Sequence, residues 1–122
     1  MTLAERIAAP PGAARERIAA SIGEFTALRQ EFHHHPELAF QERRTAARIA
    51  ALLEGWGYTV TRLAGTGVVG TLRNGPGRAL AIRADIDALP ILEATGLPFA
   101  SAVPGVMHAC GHDGHTAILL AA

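Results

Sequence analysis

The sequence contains no lysine and a single cysteine, Cys110, in 122 residues. One cysteine cannot close an internal disulfide, so the chain is read as an intracellular, cytoplasmic protein. Aromatic residues are few: one tryptophan, one tyrosine and four phenylalanines. No run of 18 apolar residues occurs, so no membrane-spanning helix is expected. The start, Met1 to Ala14, has no apolar stretch of the kind a signal peptide needs. An excess of charge is missing too, since 11 arginines face 11 acids. Zero net charge argues against a nucleic acid or an anionic membrane as a partner held by bulk electrostatics. The missing lysines are read as the mark of a GC-rich gene and carry no functional message.

What is present suffices for a folded core. The hydrophobic fraction is 49%, which excludes a disordered chain. Alanine supplies 25 of those residues, so 8 isoleucines, 13 leucines and 5 valines must do most of the packing. The length rules out two large domains but allows one core.

Pro10-Pro11-Gly12 separates a short N-terminal arm, residues 1–13, from a body at 14–122. Ile18, Ile22, Phe25, Leu28 and Phe32 recur at spacings of 4, 3, 3 and 4, which predicts a helix from about Ala13. Pro36 should end it near His34. A second helix is expected from about Gln41 to Trp56, with Ile49, Leu52, Leu53 and Trp56 as its stripe and Gly55 and Gly57 as its stop. Tyr58 to Arg62 and Val68 to Arg73 read as strands. Ala79 to Ala84 reads as a third, apolar on nearly every position and paired antiparallel to the second. Residues 87–107 are rich in proline and glycine and read as loop. A last, apolar and therefore buried helix opens near Gly114 and has no cap by Ala122, as in the front portion of a larger α/β protein.

Gly65-Thr66-Gly67-Val68-Val69-Gly70 matches the dinucleotide pattern G-x-G-x-x-G, but that fingerprint needs a helix to receive the pyrophosphate. Here a strand and a turn follow, so the glycines are read as a turn. His33-His34-His35 at a helix end complements the helix dipole and is read as structural, with one histidine packing near the site. His108-Ala109-Cys110-Gly111-His112-Asp113-Gly114-His115 is the dense cluster. In extended chain Cys110 and His112 share a face, and their donors suit a zinc-like ion. A solitary buried cysteine beside hydrogen-bonded histidines is the competing reading. Asp85 and Asp87, at the end of the third expected strand, either bind metal or orient a histidine, or cap the next loop with Arg83 as partner.

Three segments, Arg29 to Leu38, Ile82 to Pro90 and Met107 to Thr116, together resemble the N-acyl-amino-acid amidohydrolases. This family includes hippurate hydrolases, aminoacylases and auxin-conjugate hydrolases, a branch of the zinc-dependent aminoacylase and carboxypeptidase superfamily. The resemblance implies an α/β metallohydrolase domain with a central mixed sheet flanked by helices, truncated here before the rest of the sheet and the lid. It implies two divalent metals (zinc, manganese, cobalt or nickel) and a homodimer or higher oligomer. It implies hydrolysis of the amide of an N-acyl amino acid by metal-activated water. Cys110 and His112 match metal ligands. Asp85 matches the acid beside the site, in an orienting role, with Arg83 where other members carry a histidine ligand. Asp87, Asp113 and His115 fall in supporting positions around the ligands. The general-base glutamate lies outside the chain, so the 122 residues alone are expected to be inactive. A non-catalytic fragment with residual metal-binding capacity is the other reading.

Overall fold

The structure, a computed structural model, describes residues 11–122. Helix α1 spans Pro11–His34, starting two residues before the expected point. Proline is at home in a first helical turn, where its missing N–H has no partner to lose. Most of the expected N-terminal arm therefore lies outside the described residues, and its last three residues are helical.

The stripe on α1 is used unevenly. Leu28 and Phe32 are buried, and Phe25 packs at 6.1 Å from the Trp56 ring, whereas Ile18 and Ile22 remain 45% and 59% exposed. Helix α2 spans Arg43–Gly55 and buries Ala46, Ile49 and Ala50. Its N-terminus is held from a distance. The Glu37 carboxylate accepts the backbone N–H groups of Arg44 (3.0 Å) and Thr45 (2.7 Å) and the Thr45 hydroxyl (2.7 Å). An anion at a helix N-terminus satisfies donors the helix cannot and meets the positive dipole end. Burial alone would raise the Glu37 pKa, but these bonds outweigh it and hold the carboxyl below its ordinary value.

Strands β1 (Thr59–Leu63) and β2 (Gly67–Thr71) form an antiparallel hairpin with Thr59 opposite Thr71 and Leu63 opposite Gly67. Gly65 sits at φ 84°, and a Cβ on Gly67 would stand 2.8 Å from the Leu63 carbonyl oxygen. The first two glycines of the dinucleotide-like pattern therefore serve the turn. Thr66 anchors it by donating its hydroxyl to buried Glu42 at 2.7 Å.

The third expected strand does not form. Residues 79–84 form no regular element and join no ladder, and Leu80 and Ile82 are 87% and 65% exposed. A strand needs a neighbour for its backbone groups, and none lies beside this run among the described residues. The hairpin therefore joins the first and second strands rather than the second and third. The α/β content stands, with a two-stranded sheet among the described residues.

Helix α3 spans His112–Ala121, beginning at Gly111 with φ 86°, two residues before Gly114. It packs on α1 with Asp113, Thr116 and Ala117 buried, but Ile118 stays 69% exposed, so only one face is covered rather than the whole helix. Leu28, Phe32 and Ile49 form the core centre, with Val68, Ile86 and Leu120 packed around it.

Candidate metal centre

Two isolated bridges bring the motif segments together. Leu38 pairs with Ala88, and Leu89 pairs with Met107 through bonds of 2.9 and 3.0 Å. This places the end of the Arg83–Asp87 segment beside the start of the His108–His115 segment. The Thr116 hydroxyl adds a tie by donating to the Asp85 carbonyl at 3.2 Å.

His112 opens α3 with its ring held. Nδ1 lies 2.9 Å from the Asp87 carboxylate and 3.0 Å from the Asp87 carbonyl. Both neighbours only accept, so the contact assigns the proton to Nδ1 and leaves Nε2 as a lone-pair donor. A carboxylate behind the ring is the usual support for a metal-ligating histidine. Cys110 is exposed and reduced, two residues away across left-handed Gly111. The donor set of a thiol and an imidazole with a fixed tautomer fits a zinc-like divalent ion. It is not a complete site: among the described residues no three His, Cys, Asp or Glu side chains are grouped to hold an ion.

The orienting contact expected of Asp85 falls to Asp87. The Asp85 carboxylate is half exposed and pairs with Arg83, whose own side chain is largely in solvent. Asp85 instead lines a shallow cleft of about 390 Å³ with Ile82, His115, Ile118 and Leu119. His115 is exposed, with its ring 5.9 Å from that of His112.

Behind the first turn of α3 lies a buried charge cluster. Asp113 Oδ2 accepts from His33 Nδ1 at 2.9 Å and from Arg29 Nε at 3.1 Å. His33 Nε2 reaches Glu93 Oε1 at 3.1 Å. The side chains of His33, Glu93 and Asp113 are 4%, 4% and 1% exposed. Burial would raise the Asp113 pKa. The His33 bond, the Gly114 N–H and the nearby His108 and Arg29 outweigh it and hold the carboxyl down. Burial would likewise raise Glu93, yet bonds from Thr95, the Ser101 N–H and His33 bring it to about 2. His108 is 5% exposed, burial lowers its pKa, and neither ring nitrogen has a partner among the described residues. The histidine triplet thus splits. His33 joins this cluster, and His34 Nδ1 donates to the Ala100 carbonyl at 2.6 Å. Arg29 opens the first family-like segment without a role that the sequence assigns, and Glu93, a lone acid in a loop, offers no periodicity to find it by.

The sequence model described as peptidase family M20/M25/M40 matches residues 81–122, the part that carries both motif segments of this centre. The chain is 50% identical over 102 residues to a hippurate hydrolase of Campylobacter jejuni, covering 82% of this chain and 27% of that one. It is 53% identical over 96 residues to an N-acyl-L-amino acid amidohydrolase of Geobacillus stearothermophilus, covering 77% and 26%. A solved structure from Bacillus subtilis, a dinuclear metal-binding peptidase of the M20 family, superposes with a TM-score of 0.78 at 46% identity, covering 84% of this chain and 29% of that chain. The chain spans about a quarter of the length of the curated relatives it matches. With the family match seated on the Cys110–His112 segment, and half of the residues shared with these relatives over about four-fifths of the chain, residues 81–122 are similar to peptidase family M20/M25/M40.

Proposed function

We propose that these residues are the N-terminal, ligand-bearing part of a metal-dependent amidohydrolase that cleaves the amide bond of N-acyl amino acids. The observation that carries the reading is the Asp87–His112 contact at 2.9 Å, which leaves Nε2 free as a lone-pair donor two residues along the chain from a free, exposed cysteine. Cys110, as thiolate, and His112, as neutral imidazole, would hold a divalent ion such as zinc, manganese, cobalt or nickel. When bound, the ion supplies Lewis acidity that activates water toward the amide carbonyl. Asp87 keeps the His112 tautomer, and Asp113 holds the first turn of α3 against α1. His115 and Asp85, which line the same cleft, would support the ligands from its rim. Both ligands must lose or lack a proton to bind, so metal affinity falls in acid.

The remaining ligands and the general base belong to a longer polypeptide, in line with the quarter-length coverage of the relatives. A cytoplasmic location and a homodimeric or larger assembly are part of the same reading. No described helix is long and apolar enough to cross a membrane.

The test is hydrolysis of hippurate and of N-acetyl amino acids by the full-length gene product with zinc or manganese, before and after chelation. Metal-dependent release of the amino acid supports the reading, and its absence for every N-acyl amino acid overturns it. The isolated 122-residue chain is expected to show no turnover. A non-catalytic fragment is the second reading, favoured by the two-ligand centre among the described residues. Metal binding without turnover by the full-length product would select it.

A further inference from the structure

The buried cluster behind α3 has a stoichiometry that sets it apart from ordinary surface ion pairs. Both ring nitrogens of His33 face carboxylate oxygens, Asp113 at 2.9 Å and Glu93 at 3.1 Å. An ionised carboxylate only accepts, so two such bonds require a proton on each nitrogen. With Arg29 at 3.1 Å from Asp113, the set holds two positive and two negative groups; His33, Glu93 and Asp113 are buried, and the half-exposed Arg29 side chain closes it toward solvent. Phe99 closes it edge-on at 5.5 Å, and the His108 ring stands 6.3 Å away.

Its position matters more than its charge. His112 and Asp113 are consecutive in the first turn of α3, so their side chains diverge by about 100° around the axis. One is gripped by Asp87 and the other by His33. The turn that carries His112, separated from Cys110 by Gly111 alone, is thus held from two sides. The Arg29 bond to Asp113 and the Thr116 bond to the Asp85 carbonyl also hold the helix, so loss of one grip shifts the aim of the turn without releasing it. We propose that His33, by donating to Asp113, is a positioning residue that sets the aim of His112 and Cys110 at the metal. The inference rests on the metal-binding reading above and adds a residue 77 positions from the nearer ligand.

Two variants of His33 separate aim from bulk stability. The amide nitrogen of His33→Asn falls near the Nδ1 position and keeps the bond to Asp113. That of His33→Gln falls near the Nε2 position and keeps the bond to Glu93 instead. Each saves one bond of two, so both should lower the melting temperature to a similar extent. Zinc affinity of the full-length gene product, measured by competition with a chromophoric chelator, should part them. His33→Gln is expected to bind about tenfold more weakly and His33→Asn to stay near wild type, in the range seen when support behind a ligand is lost. Equal affinities for the two variants, or losses that simply track melting temperature, overturn the proposal. Should His33→Gln fail to fold, Asp113→Ala, which removes the acceptor altogether, is expected to give the same tenfold loss, and wild-type affinity there overturns it as well. Cys110→Ala on the same titration keeps the two failures apart. If wild type and Cys110→Ala bind alike, the metal reading itself has fallen. If Cys110→Ala loses zinc while His33→Gln does not, only the positioning role has fallen.

Discussion

Replacing Asp87 with alanine removes the carboxylate that lies 2.9 Å behind the His112 ring. Loss of such support generally costs about 10- to 100-fold in metal affinity. The geometry selects the lower end of that range. Nδ1 has a second acceptor, the main-chain carbonyl of the same residue at 3.0 Å, and the substitution leaves that carbonyl in place. The tautomer survives, while the anion that raises ligand basicity is lost. The expected effect of Asp87→Ala is therefore about a tenfold weaker zinc affinity, or about 1.4 kcal/mol. Asp87→Asn retains an acceptor oxygen and should lose less. The assay is a chelator-competition titration of zinc into the full-length gene product, with circular dichroism to establish that the variant is folded. Unchanged affinity in Asp87→Ala would mean that the carboxylate does not support a ligand. A loss beyond about a thousandfold would make Asp87 a ligand in its own right, and either result refutes the reasoning.

Two further outcomes follow from the packing and the charges. Phe32 is 1% exposed at the centre of the core, so Phe32→Ala should destabilise the protein by about 3–5 kcal/mol in denaturant titration, and a loss under 1 kcal/mol would refute its central place. Glu93, held at about 2 from an ordinary 4.5, contributes stability that is fully present above pH 4.5 and is lost as pH falls toward 2. The difference in melting temperature between wild type and Glu93→Gln should therefore be constant near neutrality and shrink across that acid window; a gap that does not change with pH would contradict it.

The helices were legible because their signals are local. The 3- and 4-residue spacing of Phe25, Leu28 and Phe32 and the stop at Pro36 are read within one segment. The run at 79–84 has the composition of a buried strand, but both burial and strand pairing depend on a distant neighbour that composition does not supply, and among the described residues none covers or pairs with it. The same limit applies at the site. Asp85 and Asp87 lie two apart, and an extended chain gives them one face, so sequence alone could not decide which reaches His112. The bridges at Ala88 and Leu89 decide it by fixing the chain just beyond Asp87. The Cys110–His112 pair stood out from its density. The grip of His33 on Asp113 joins residues 80 apart and had no local trace beyond the histidine triplet.

The central claim is that Cys110 and His112 hold a divalent metal. Elemental analysis of the purified full-length gene product, beside its Cys110→Ala variant, tests it most directly. Metal bound at wild type and stripped by the substitution is the predicted result; metal content unchanged in Cys110→Ala would contradict it.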